Sequence, residues 1–230
     1  YSPLLANPVV GEVALMGEPE PAGGVAEVPL GERVMLTYDV RADFTSAEQV
    51  GFDAIRLRTP EAVDFQHFEM GDPLRVVTPD SVRVDDRELV VSFPSRPVTQ
   101  AANVPLRLTF GTRVFNFNTV FNGEVFQIEG ENLAQSIEGG DASPLVSTND
   151  LQVFTPLDRL DVLSKIEAGS RVLTPNGDGV NDFLTLSYML QGISAATVEL
   201  SVYDLRGRLL RQVVAETRGV GRYTDVWDGR

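Results

Sequence analysis

Short segments in which apolar and polar residues alternate recur along the first two thirds of the chain. They lie at residues 33–40, 52–58, 81–84, 88–93, 104–110, 114–121 and 124–128. Alternation of this kind is the period of a β-strand with one buried face, and turn residues separate the segments. With little helical periodicity, the pattern predicts an antiparallel β-sandwich over residues 25–157, closed by a strand at 151–155.

The polar, glycine-containing stretch 129–150 interrupts this pattern. It is long for a connection inside a compact domain. We expect it to be either an irregular excursion or a mobile flap.

Residues 1–24 are punctuated by proline and glycine and enclose one apolar segment, 9–16. If that segment is a strand, Val9, Val13 and Leu15 share a face. The proline-rich run that follows cannot pair with it inside a sheet. The sequence therefore predicts an extended arm whose strand either ends a preceding domain or pairs elsewhere. Val9, Val13 and Leu15 are candidates for strand exchange with another subunit.

A domain boundary is predicted near residues 157–164, with 158–164 as a linker. Leu157, Leu160, Leu163 and Ile166 recur every three residues, which is compatible with one short helix. The alternative is that the end of this segment is the first strand of a second domain, residues 165–230. Further strands are predicted at 183–190, 197–204, 209–216 and 223–227.

The loop 173–183 offers an oxygen at every second position. The candidate ligands are the side chains of Thr174, Asn176, Asp178 and Asp182 and the Val180 carbonyl. Carboxylate, amide and carbonyl oxygens around sharp glycine turns are the ligands that Ca²⁺ prefers, so the loop predicts a structural calcium site. The alternative is a metal-free hairpin turn built on Asn-Gly and Asp-Gly.

Composition narrows the function. The net charge of −14, from 33 acidic and 19 basic residues, disfavours nucleic acid or an anionic membrane as a partner. No apolar run approaches the roughly 20 residues of a membrane helix. There is no cysteine and one histidine, His67, which we expect to be an exposed strand residue. No nucleotide-binding or hydrolase motif is present, so the sequence predicts a protein that is not an enzyme.

Four motifs of the second domain occur in a characteristic order: residues 173–182 with the strand 184–188, then 198–208, then 221–223, and finally Trp227-Asp228-Gly229. Over roughly residues 165–230 the chain resembles the small immunoglobulin-like domain at the C-terminus of many large secreted bacterial proteins. That domain is similar to the one in flagellar hook-capping proteins and to the C-terminal modules of gliding-associated and type 9-secreted proteins. The segment 30–157 is similar to the β-sandwich that often precedes it.

The resemblance implies an all-β protein of two tandem antiparallel immunoglobulin-like β-sandwich domains, located outside a bacterium or on its surface. It implies a structural subunit, with self-association or other surface proteins as partners, or a C-terminal sorting or anchoring region. Domains of this kind usually continue past Trp-Asp-Gly with another strand, whereas this sequence stops at Arg230. Three explanations compete: an arbitrary end of the sequence, proteolysis after Arg230, or completion of the open sheet by a strand of another chain, which would build head-to-tail filaments.

A carbohydrate-binding adhesin module is the other function that the sequence leaves open. In the predicted strand 114–121, Phe115 and Phe117 share one face and Asn116 and Asn118 the other. An aromatic or asparagine-lined face can bind a glycan, whereas a strand with core phenylalanines and solvated asparagines needs no ligand.

Overall fold

The structure is a computed structural model that describes residues 4–156, 161–170 and 172–229, and every regular element in those residues is a β-strand. The predicted all-β class is confirmed. The chain divides into two compact units, Tyr1–Pro156 and Leu157–Arg230. In the described part, no helix is long and apolar enough to cross a membrane. Of the predicted linker, residues 158–160 lie outside the described ranges.

The first unit contains strands β1 to β14. They are Val9–Leu15, Ala26–Glu27, Arg33–Ala42, Ala54–Arg58, Asp64–Met70, Arg75–Val77, Ser81–Asp85, Glu88–Ser92, Leu106–Arg113, Asn118–Val120, Gly123–Phe126, Gln135–Ser136, Glu138–Gly139 and Gln152–Phe154. A six-stranded sheet has the order β13-β1-β3-β9-β5-β6, and a five-stranded sheet the order β12-β11-β4-β8-β7. A small third sheet has the order β10-β14-β2.

Both large sheets direct one face at a common hydrophobic core. Tyr38, Phe68 and Phe110 enter it from the six-stranded sheet, and Ile55 and Leu57 from the five-stranded sheet. Each of these side chains is completely buried. The alternation of apolar and polar residues therefore corresponds to the two faces of the strands in this unit, because every second residue of β3, β4 and β9 lies in one core.

Of the alternatives for the N-terminal strand, the structure shows pairing elsewhere, within its own chain and not as an extended arm. Strand β1 lies inside the six-stranded sheet, antiparallel to β3 and parallel to β13. Val9 and Val13 are buried in the core, and Leu15 packs against it. The expectation of an extended arm failed because it sought a neighbouring hairpin partner, whereas both partners of β1 are distant in sequence. In this structure the three strand-exchange candidates are engaged within their own chain.

Residues 138–150, here named the cover segment, lie over the other face of the same sheet. Glu12 and Asp39 point to that face, yet they are 0% and 1% exposed. Within the cover segment Ala142 and Thr148 are buried as well. Residues 140–150 contain no strand, in agreement with the alternative of an irregular excursion, and the cover segment begins with the paired strand β13 and packs onto the sheet.

The Arg41 guanidinium donates to the Asp141 carbonyl of the cover segment at 2.9 and 3.2 Å. The Glu12 carboxylate accepts four hydrogen bonds from the same segment. Its Oε1 accepts hydrogen bonds from the backbone N–H groups of Ala142, at 3.0 Å, and Ser143, at 2.8 Å. Its Oε2 accepts from the Asn149 N–H at 3.0 Å and the Thr148 hydroxyl at 3.3 Å. Four donors on one buried carboxylate replace its hydration, which is the condition for burying a charge.

Five described strands of the first unit escaped prediction: β5, β6 and the two-residue strands β2, β12 and β13. The register of β5 shifts between Phe65 and His67, and this bulge breaks the alternation that would reveal a strand. His67 lies on β5 with its side chain 38% exposed, and its Nε2 is 3.6 Å from a carboxylate oxygen of Glu69.

The second unit contains strands β15 to β19: Leu163–Ala168, Leu184–Leu190, Ala196–Tyr203, Leu209–Arg218 and Gly221–Trp227. One sheet has the order β15-β16-β19, and β17 pairs with β18 in a second sheet. Leu163 and Ile166 belong to β15, so this part of the ambiguous segment is a strand rather than a helix; Leu157 and Leu160 lie outside the described residues.

The core of the second unit is small. Its fully buried apolar side chains, among the described residues, are Tyr188, Met189 and Leu190 on β16. A cavity of about 90 Å³ lies among apolar residues of β15, β16 and β17, including Leu163 and Leu186. Apolar burial among the described residues is therefore smaller in this unit than in the first.

Candidate functional site

The loop that connects β15 to β16 is shaped by residues with positive φ. Gly177 has φ of 82°, Gly179 of 83° and Asn181 of 55°. Glycine adopts such angles without strain, and asparagine tolerates them better than most residues. The Asn-Gly and Asp-Gly pairs thus fold the chain back on itself within a few residues.

Asp182 closes the loop. Its Oδ1 accepts a hydrogen bond of 2.7 Å from the Gly177 N–H, and its Oδ2 accepts one of 2.7 Å from the Gly179 N–H. The same carboxylate therefore fixes both glycine turns. A charged acceptor for backbone N–H groups forms stronger hydrogen bonds than a neutral one.

Asp178 stands at the tip of the loop and is exposed. Its Oδ1 accepts from the Val180 N–H at 2.8 Å, and its Oδ2 accepts from the Asn176 side-chain amide at 2.9 Å. These hydrogen bonds, that of Asn176 first, lower the pKa of Asp178 below its usual range. The side chain is therefore a carboxylate at neutral pH, which is the form that binds a cation.

The remaining predicted ligands are engaged within the loop. The Thr174 hydroxyl donates to the Val180 carbonyl at 3.1 Å, and the Thr174 N–H donates to the Asn181 carbonyl at 2.8 Å. The Asn176 Oδ1 accepts from the Asp178 N–H at 3.0 Å. All five predicted ligands thus belong to one hydrogen-bonded loop, whose bonds also satisfy the metal-free alternative.

The donor set fits a hard cation in kind, since it offers two carboxylates, an amide and a carbonyl. Among the residues that the structure describes, however, no three acidic or histidine side chains are grouped as a metal site. A calcium ion would take Asp178 and Asp182 as its charged ligands and complete its shell with the Asn176 amide, the Val180 carbonyl and water.

A cavity of about 230 Å³ adjoins the loop and contains a residue that the sequence did not connect with it. The cavity is lined by Pro175, Gly177, Asp182, Phe183 and Asp228. Asp228 belongs to the Trp-Asp-Gly motif beyond β19, so two carboxylates from distant motifs face one space. In the sequence, the Trp-Asp-Gly motif was the only feature that could have pointed to Asp228 lying near the loop.

Gly229 explains how the two motifs approach each other. Its φ is 79°, and a Cβ atom on it would lie 2.9 Å from Pro175 Cγ and 3.1 Å from Leu173 Cδ2. Only glycine permits this backbone to lie so close to the loop. The end of β19 is therefore packed directly on the start of the candidate calcium loop.

A second candidate surface lies in the first unit. Phe117 is 47% exposed, and its ring meets that of Phe154 edge to face with centroids 5.6 Å apart. Next to it the Asn118 amide donates to the Gln152 side-chain oxygen at 2.9 Å. Phe115 is instead buried, and the strand spans only Asn118–Val120, so the prediction that Phe115 and Phe117 share one strand face is wrong.

Comparison with models of known protein families gave no match for this chain, and no curated protein matched its sequence.

Proposed function

We propose that this chain is a non-enzymatic structural part of a bacterial extracellular or cell-surface protein, and that its second unit binds a structural calcium ion. In this proposal the two units are tandem immunoglobulin-like sandwiches, and the second is a C-terminal module of the kind that the sequence resembles. The observation that carries the proposal is the packing of Gly229 on Leu173 and Pro175. It joins two of the four motifs of the resemblance in one place.

Calcium in this loop would act by stiffening the second unit. Asp178 and Asp182 lie between β15 and β16, and the loop supports the end of β19 through Gly229. An ion bound to the folded loop and not to the unfolded chain stabilises the fold by mass action. Because the apolar core of this unit is small, the ion would supply a substantial share of its stability. Head-to-tail assembly through β1 is not part of the proposal, since β1 is paired internally.

We expect calcium to raise the melting temperature of the second unit. At a calcium concentration about 100 times the dissociation constant, the gain is about 2.7 kcal/mol. Trp227 is the single tryptophan and lies in this unit, so its fluorescence reports unfolding there. Melting is compared in Ca²⁺, in Mg²⁺ and in chelator.

The variant Asp178→Ala/Asp182→Ala is expected to lose the calcium-dependent rise. It also loses some stability without calcium, because Gly177 and Gly179 lose their acceptor, so the rise rather than the melting temperature is compared. Glu167→Ala, an exposed acid on β15 of the same unit, is the matched control and keeps the rise. An unmutated protein that melts identically in calcium and chelator refutes the calcium proposal.

Glycan binding at Phe117 is a second candidate function, favoured by the exposed edge-to-face ring pair beside the Asn118–Gln152 amide pair. Aromatic rings bind apolar sugar faces, and amides bind hydroxyls. Under this alternative the intact protein binds one class of glycan on an array, and Phe117→Ala abolishes binding while Phe183→Ala, an exposed phenylalanine of the second unit, retains it. If the intact protein binds no glycan on the array, glycan binding at Phe117 is refuted.

A further inference from the structure

Strand β7, Ser81–Asp85, is the last strand of the five-stranded sheet. Within the described residues its pairing partner is β8 alone, and all five of its residues are exposed. Its outer edge therefore presents backbone groups to solvent. Such an edge is a template for pairing with another strand.

The hairpin geometry shows which backbone groups point outward. Asp85 pairs with Glu88 across a turn of two residues, and such a turn closes on a hydrogen-bonded pair. Hydrogen-bonded pairs alternate along an antiparallel ladder, so Arg83 bonds to β8 whereas Val84 and Val82 do not. The N–H and C=O groups of Val82 and Val84 therefore face the outer edge.

We infer that a second copy of this chain pairs with β7, antiparallel, about a two-fold axis at Val84. In this register Val84 exchanges both backbone hydrogen bonds with the partner's Val84. Arg83 then lies opposite the partner's Asp85, and Asp85 opposite the partner's Arg83. The two five-stranded sheets become one continuous sheet, and the interface closes on itself.

Charge selects this register among those that the outward groups of Val82 and Val84 allow. An axis at Arg83 would place the two Arg83 side chains opposite each other, which is repulsive. An axis at Val82 would place Arg83 opposite the partner's Ser81 and leave Asp85 unpaired across the interface. Only the axis at Val84 forms two opposite-charge pairs.

Arg83 and Asp85 are already held in place for this contact. Within its own chain Arg83 lies 2.9 Å from Asp85 and 2.8 Å from Glu88, and the Arg83 and Asp85 side chains are 59% and 53% exposed. An edge strand of another protein without matching charges pairs unfavourably with this charged strand, whereas a second copy places an opposite charge against each of its own. The net charge of −14 per chain opposes association, so the dimer is weak.

Cysteine cross-linking of the full chain tests the register, because the chain has no cysteine of its own. At Val84 the two Cα atoms would be about 5.5 Å apart, within the range of a disulfide. The two Val82 Cα atoms would be offset by four residues along the strands, or about 13 Å, which is too far for a disulfide. We expect Val84→Cys to form a covalent dimer under mild oxidation and Val82→Cys to remain monomeric. Preferential cross-linking of Val82→Cys overturns the register.

Charge exchange tests the complementarity. By sedimentation equilibrium, Arg83→Asp should weaken the dimer at least about tenfold, because the introduced carboxylate then faces the partner's Asp85. Arg83→Asp/Asp85→Arg restores opposite charges across the axis and should restore the dimer. Circular dichroism checks that each variant is folded. Unmutated protein that stays monomeric at all concentrations, or variants that dimerise equally, overturns the inference.

Discussion

Replacing Glu12 by alanine is expected to lower the free energy of unfolding of the first unit by about 4 kcal/mol. The buried N–H groups of Ala142 and Ser143 and the partly buried N–H of Asn149 lose their acceptor, and each loss of a buried group costs about 1 to 3 kcal/mol. Relief of repulsion with Asp39, its cross-strand neighbour, offsets little of this. Arg107 already neutralises Asp39 through two hydrogen bonds of 2.6 Å.

The loss is measured by urea unfolding followed by far-ultraviolet circular dichroism, together with hydrogen exchange at the amides of Ala142, Ser143 and Asn149. Those three amides should lose protection before the rest of the sheet, since they depend on one side chain. Glu20→Ala, an exposed acid, removes the same charge and should change stability by less than about 0.5 kcal/mol. Unchanged protection at the three amides would show that the cover segment is held by other contacts.

Glu12 also marks the limit of what the sequence could predict in the first unit. A lone acid in an apolar strand, Val9–Leu15, looks like the solvated face of that strand. Its burial depends on residues 142–149, more than a hundred positions later. The strands β3, β4 and β8 were predictable because their alternation is local. The pairing of β1 and the position of the cover segment were not, because they are long-range events.

In the candidate calcium loop, too, the local features are predictable from the sequence and the long-range contact is not. Its turns follow from Asn-Gly and Asp-Gly, which local conformational preference determines. The hydrogen bonds from Gly177 and Gly179 to Asp182 are also local. Asp228 is different, since only the pairing of β19 with β16 carries it to the cavity beside Asp182. The loop is therefore predictable from the sequence, whereas the position of Asp228 beside Asp182 is not.

The apolar core of the second unit is small, and Arg218 joins the two sheets of that unit through polar contacts. Arg218 lies on β18 and donates two hydrogen bonds of 2.8 Å to Asp225 on β19. It also donates to the Tyr188 hydroxyl on β16, and its guanidinium lies 4.7 Å from the centre of the Tyr223 ring. The side chains of Arg218 and Asp225 are only 11% and 10% exposed.

We expect Arg218→Ala to destabilise the second unit by about 3 kcal/mol, since the largely buried Asp225 loses its opposite charge and, of its described side-chain donors, keeps only the Tyr188 hydroxyl, at 3.0 Å. Arg218→Lys should lose part of that amount, because lysine keeps the charge but not the two-pronged contact. Trp227 fluorescence during thermal melting measures the effect. Arg211→Ala, an exposed arginine on the same strand, is the matched control and should melt as the unmutated protein does.

The pH dependence of the melting temperature distinguishes a contribution from the Arg218–Asp225 ion pair from a contribution of Arg218 packing alone. Hydrogen bonds from Arg218 lower the pKa of Asp225 in the folded unit. The stabilisation is therefore fully present above the ordinary aspartate pKa of about 3.9 and is lost as the pH falls through the lowered value. The difference in melting temperature between the unmutated protein and Arg218→Ala should shrink below about pH 4. A difference that stays constant down to about pH 2 would assign the effect to the packing of Arg218 on Tyr223 instead.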